Sequence, residues 1–243
     1  MIFNHNKTKH LTLGNKRTDI SEIPDIQVTK EINYLGLLIN DQMTWTKHID
    51  KLCLKLSSSL YALRRTHGTT TLDSTKIAYY ALFESKLRYG LASWGSSSES
   101  NLVKVLRLQK KTIRIMAELK PRDSCRDDFK TLKMLAVTSL YVLETIIYCL
   151  TKHLTRHQDV HNRQTRKAQN FSLPPHRSAV FENKPTYIGM KLFNALPEDK
   201  EKPIKLQENE NVFKKLAPTK NSIYTRGVLL LITTSLIMYN MYL

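Results

Sequence analysis

Acidic residues are scarce in this chain. It has 21 Asp and Glu against 38 Lys and Arg, a formal net charge of +17 over 243 residues. That imbalance points to polyanionic partners, nucleic acid first and an anionic membrane surface second. Cysteine is scarce too. Cys53, Cys125 and Cys149 are odd in number and widely spaced, with no CxxC pair, which excludes a zinc ribbon or knuckle. A reducing compartment, nucleus or cytoplasm, follows from the same usage. There are only seven glycines and eight prolines, mostly toward the ends, so the middle is left to uninterrupted helices. The N-terminus, MIFNHNKTKH, lacks an apolar run long enough for a signal peptide. Several chemical signatures are also missing. There is no aspartate pair on a strand turn, no Gly-rich phosphate loop, and no Ser-His-Asp order with a nucleophile elbow. The expectation is therefore no catalytic residue, no metal ligand and no cofactor in this chain.

What is present suffices for a core. Hydrophobic residues make up 41% of the chain, and its length suits one large or two small domains. Ile32, Tyr34, Leu37 and Ile39 read as a buried strand with Gly36 inside it, where another backbone or a ligand can approach closely. Asn40 and Asp41 supply a turn. From Ile49 the period becomes helical, with Ile49, Leu52, Cys53, Leu56, Leu60 and Leu63 on one stripe. Gly68 suits a left-handed cap, and Thr71 or Asp73 can cap a second helix running to about Tyr89. A third helix, about Asn101 to Glu118, buries Leu102, Val105, Leu106, Ile113, Met116 and Ala117. Its charges, Lys104, Arg107, Lys110, Lys111 and Arg114, fall within an arc of about 120°, opposite that stripe. Ser124 and Asp127 suggest a capping box for a fourth helix. A fifth, about Ser139 to His153, reads as core. Two apparent sites are set aside. Asp127-Asp128 follows Arg126 and not an aromatic residue, and acids in a first helical turn are ordinary dipole partners. His153, His157 and His161 could share one helix face, but Gln158 stands where a zinc-protease motif needs a carboxylate.

The motifs also carry a resemblance. Tyr34-Leu35-Gly36, then Trp45, then His48-Ile49, resembles the YLG…W…HI segment of non-LTR (LINE-type) retrotransposon reverse transcriptases, closest to the jockey-like group. YYALFESKLRYGLASWG resembles that family's YxALfxSxLxYGixxWG segment, the most specific match. LQKKTIRIMAELKPRDSC, HNRQTR, PTYIGMKLFNALP and Phe213-Lys-Lys-Leu216 continue it in order, so that it covers roughly Met1 to Leu216. The resemblance implies the end of a polymerase palm, a helical thumb and the region beyond. The YLG strand would then be the counterpart of the hairpin that grips a primer end.

The expected fold is mainly α: a thumb-like helical bundle, preceded by a small β element from a truncated palm and followed by an irregular basic arm. The expected divisions are residues 1–45 for the palm remnant with its grip strand, 46–154 for the bundle, 155–220 for the arm and 221–243 for a hydrophobic tail. Candidate nucleic-acid contacts are Tyr34, Leu35 and Gly36, the five basic residues of the third helix, and Arg163 and Arg166 in the arm. The implied partners are RNA and DNA as a template–primer duplex, with a separate palm-containing chain as a further one. Members of the family would need Mg2+ held by carboxylates that this chain lacks, so it is expected to be inactive alone. Residues 228–243, VLLLITTSLIMYNMYL, are uncharged, and as a helix would span about 24 Å against a hydrocarbon core of about 30 Å. This leaves open a tail anchor that attaches a basic helical protein to a membrane, a core or swapped helix, or sequence read past the element's usual end. The last reading is favoured because members of the family usually close with a short segment containing Tyr, Phe and Glu. An element remnant without function also fits the sequence.

Overall fold

The computed structural model describes residues 8–13, 24, 26–160 and 167–196. The fold is mainly helical, with a small β element at its start. β1 (Lys9–His10) pairs in parallel with β2 (Gln27–Val28). β3 (Glu31–Tyr34) and β4 (Leu37–Asn40) form an antiparallel hairpin in the register Tyr34 to Leu37 and Ile32 to Ile39. Asn40 and Asp41 then turn the chain out of β4, as expected. The Asn40 side chain bonds both the backbone and the hydroxyl of Thr44, each at 2.9 Å.

The hairpin leads into α1 (Thr46–His67). Its buried face includes Ile49, Leu52, Leu56 and Leu63, the stripe read from the spacing. Gly68 comes after it with a right-handed φ of −70°, so the left-handed cap expected there does not form. Thr71 does cap α2 (Leu72–Ala78), accepting from the Ser74 amide. The second helix is not uniform. α2 passes into a π-helical stretch, Tyr79–Glu84, before α3 (Ser85–Arg88). The stretch buries Tyr79, Phe83 and Glu84 together, with the Tyr79 and Phe83 rings stacked at 5.5 Å. A π-helical insertion rotates the residues after it about the helix axis, and here the chain goes on to Tyr89.

α4 (Leu91–Trp94) is a single turn that buries both its end residues. α5 (Glu99–Met116) packs along α1. α6 (Arg126–Thr131) has Cys125 and not Ser124 at its N-cap, with no side-chain hydrogen bond, so Ser124 does not close the capping box read from the sequence. Asp127 and Asp128 lie in its first turn, and Asp127 faces Lys130 at 3.5 Å, the ordinary helix role. α7 (Val137–Leu150) completes the main core.

Gln109 was invisible as a core residue because its type reads as surface. It is fully buried in α5. Its amide donates to the Tyr79 hydroxyl at 2.9 Å and the Leu135 carbonyl at 2.7 Å, and its oxygen accepts from the Val137 amide at 2.9 Å. Three elements are thus fixed to one satisfied side chain.

Beyond α7 lie α8 (His157–Val160), α9 (Ala179–Glu182) and α10 (Pro185–Asn194). α10 packs on α7, and Cys149, Phe171, Tyr187 and Met190 form a second core cluster. Part of the stretch expected as an irregular basic arm therefore packs against the bundle. Its apolar residues are separated by Pro174-Pro175 and polar stretches, so no period announces them. Arg156, in the same region, lies 4.5 Å over the Phe171 ring and 5.4 Å from that of Phe193.

Candidate functional site

The YLG triplet is a hairpin tip, which corrects its placement inside a buried strand. Because Tyr34 pairs with Leu37, Leu35 and Gly36 form a two-residue loop. Both have positive φ, 47° and 81°, the primed geometry that matches strand twist. Glycine takes it freely, but leucine in the left-handed region costs roughly 1–2 kcal/mol. Tyr34 is 60% exposed and Leu35 71% exposed. The period-2 pattern ran through the turn because Leu35 carries no turn chemistry of its own.

Three contacts hold this tip to the bundle. Tyr89 donates its hydroxyl hydrogen to the Leu35 carbonyl, and its ring carbon Cε1 lies 3.5 Å from where a Gly36 Cβ would stand. Gly90, at φ 64°, seats Leu37, whose Cδ2 would be 2.7 Å from a Cβ there. The Leu38 amide donates to Nδ1 of His48, at 3.3 Å, which covers a donor on the open edge of β4.

His48 is itself enclosed. Its ring centroid is 6.0 Å from that of Trp45 and 6.2 Å from that of Trp94. The Trp94 indole in turn donates to the Tyr89 carbonyl at 3.0 Å. Burial, then the charges of Lys55 and Lys51, push the His48 imidazole below its ordinary value and keep it neutral. Since Nδ1 accepts, the proton of that neutral ring sits on Nε2. Just before Tyr89, Arg88 bonds buried Glu84 at 2.8 Å and Glu144 of α7 at 2.7 Å. Burial raises the Glu84 carboxyl and Arg88 opposes the shift. The segment bearing Tyr89 is thereby tied to the bundle from behind.

Strain gathers here as well. Of the five non-glycine residues with positive φ among the described ones, Leu35, Met43 and Trp45 all lie between the hairpin tip and α1. Such conformations persist where surrounding structure over-determines them.

The second candidate surface is the basic side of α5, and the structure divides it. Arg107 and Lys111 are exposed. Lys104 pairs with Asp50 of α1 at 2.7 Å, and Arg114 Nε donates to the Asp123 carbonyl at 2.9 Å. Lys110 is half-buried. Helical spacing locates the face, but it could not reveal that Asp50 and the Asp123 carbonyl lie within reach.

Arg163 and Arg166 lie outside the described residues, as do His161, the segment 213–216 and the tail 221–243. His153 comes after the end of α7 and His157 opens α8, so their spacing by four does not place them on one helix. Among the described residues no group of three or more His, Cys, Asp or Glu is placed to hold a metal ion. None of the described helices is long and apolar enough to cross a membrane.

Among curated proteins, the chain is similar to a probable RNA-directed DNA polymerase from transposon X-element of Drosophila melanogaster. The two are 23% identical over 167 residues, 65% of this chain and 17% of that protein. The similarity relates the chain to a transposon reverse transcriptase, of whose length it spans about a sixth. No protein-family model matches the chain, and no solved structure matches it.

Proposed function

We propose that the chain is a nucleic-acid-binding portion of a non-LTR retrotransposon reverse transcriptase of the jockey-like kind, equivalent to the end of the palm, the thumb and the region after it. In this reading it holds an RNA–DNA template–primer duplex by the phosphates. Arg107 and Lys111 are the first contacts on α5, and Lys104, Lys110 and Arg114 are supporting ones. Arg163 and Arg166 add contacts from the arm, and Tyr34, Leu35 and Gly36 meet the duplex at the hairpin tip.

One observation carries the reading. Tyr89 and Leu35, 54 positions apart and each in a segment that resembles the retrotransposon pattern, meet in a single clasped hairpin whose outer side chains stay exposed. An exposed apolar and aromatic tip on a strongly basic chain suits a partner with stacked bases and a charged backbone. Polymerisation would need carboxylates and Mg2+ from a palm, on another chain or elsewhere on the same one. The place of action would be the nucleus or cytoplasm, where such templates are found.

Fluorescence anisotropy on a short RNA–DNA duplex at several salt concentrations tests this. The expected result is binding whose logarithm falls linearly with log salt, at about −0.9 per phosphate for duplex DNA. An absence of binding at low salt would overturn the proposal. The purified chain, given Mg2+ and a primed template, is expected to extend nothing. Incorporation above a heat-killed control would show that the chain carries a catalytic carboxylate set after all.

A further inference from the structure

We infer that Tyr89 is a positioning residue, whose hydroxyl and ring fix the Leu35-Gly36 turn so that Tyr34 and Leu35 are presented in one orientation. The inference rests on the reading of the tip as a nucleic-acid contact and adds what controls it.

The turn needs outside help. The favoured pairs for a two-residue loop with both φ positive are Asn-Gly and its relatives, because Asn tolerates the left-handed region. Leu35 sits there at φ 47° with no side-chain acceptor or donor to support the turn. It is also 71% exposed, so its own side chain adds little burial to hold it. The carbonyl of this same residue receives the Tyr89 hydroxyl, and the Tyr89 ring lies against Gly36.

Tyr89 is in turn held at its own carbonyl by Trp94 and is preceded by the Arg88 bridge to Glu84 and Glu144. It is 56% exposed, so its contribution to the apolar core is small. A residue that packs little yet bonds the strained carbonyl of a projecting turn acts on the turn and not on global stability. His48 secures the other side of the hairpin through the Leu38 amide, which leaves Tyr89 in charge of the tip.

The test uses the full chain and Tyr89→Phe, which keeps the ring and removes the hydroxyl. Amide hydrogen exchange of residues 35–38 is expected to quicken about threefold to tenfold, as loss of one hydrogen bond implies, with the melting temperature unchanged within about two degrees. Affinity for the RNA–DNA duplex is expected to drop about threefold to tenfold with an unchanged salt slope, since no phosphate contact is removed.

Adding Leu35→Asn to Tyr89→Phe, which supplies the preferred turn pair, is expected to restore slow exchange. Exchange in Tyr89→Phe equal to the parent chain's would overturn the inference. So would quickened exchange with undiminished affinity in a chain that binds. If the parent chain binds no nucleic acid, the proposed function fails. The exchange data alone then decide whether Tyr89 holds the turn.

Discussion

The hairpin joint and the basic face of α5 were both marked by sequence, and they differ in what holds their residues. In the joint, Leu35, Gly36, Trp45, His48, Tyr89 and Trp94 are scattered along the chain yet meet through hydrogen bonds, ring contacts and close packing. On α5, the five basic residues come together by helical period alone, and no tertiary partner is needed to align them. The joint is therefore specified by contacts and should fail at single positions. The α5 face is specified by charge and should erode by increments. Its residues are also unequal, because Lys104 and Arg114 have partners within the fold while Arg107 and Lys111 project.

The largest effect should come from Gly90→Val. It places a branched side chain at φ 64° and against Leu37, where even a Cβ would lie 2.7 Å from Cδ2. Strain and overpacking together should destabilise the chain by about 2–4 kcal/mol. Thermal melting would show it, and a stability equal to the parent's would mean that the hairpin does not seat on Gly90. Substituting Gln for all of Lys104, Arg107, Lys110, Lys111 and Arg114 should flatten the salt slope by about three to five units of 0.9. The pair Arg107→Gln and Lys111→Gln should account for about two of these. The pair Lys104→Gln and Arg114→Gln should account for less. Equal slopes for the two pairs, read by anisotropy, would erase the distinction between projecting and partnered charges.

Acid should act on the joint and spare the α5 face. The folded chain keeps His48 neutral, with its pKa below the unfolded value of about 6.5. The unfolded chain therefore takes up a proton first as pH falls. The stability that His48 contributes is complete above that value, and is lost as pH drops through it toward the folded pKa. Protonated Nδ1 can no longer accept the Leu38 amide, so the protection of that amide, its exchange rate set against the intrinsic rate at the same pH, should fall over the same window. In His48→Gln that protection should no longer vary across the window, and persistence of the variation would place the titrating group elsewhere. The smallest effect is expected from Lys104→Gln on stability. Its pair with Asp50 is well exposed on both sides, and such bridges contribute at most about 1 kcal/mol. A loss well beyond that in chemical denaturation would make Lys104 part of the joint between α1 and α5.

Sequence by itself determined the long helices, the faces of α1 and α5, and the charge. Ile49 to Leu63 in α1 and the opposite placement of apolar and basic residues in α5 follow from a period of 3.6, which is local and therefore legible. Motif residues could be picked out, but not what they touch. Only the tertiary structure decided that Leu35-Gly36 is a turn, because a leucine at positive φ depends on Tyr89, far along the chain. It alone placed Gln109 in the core, since a buried amide reveals itself only through the partners that satisfy it. It alone showed α10 packed on α7, because the cluster of Cys149, Phe171, Tyr187 and Met190 is assembled from separate segments with no common period. Local spacing fixes which way a side chain faces on its own element. Which groups come within hydrogen-bonding or van der Waals reach is set by how the elements pack, and that is a property of the whole chain.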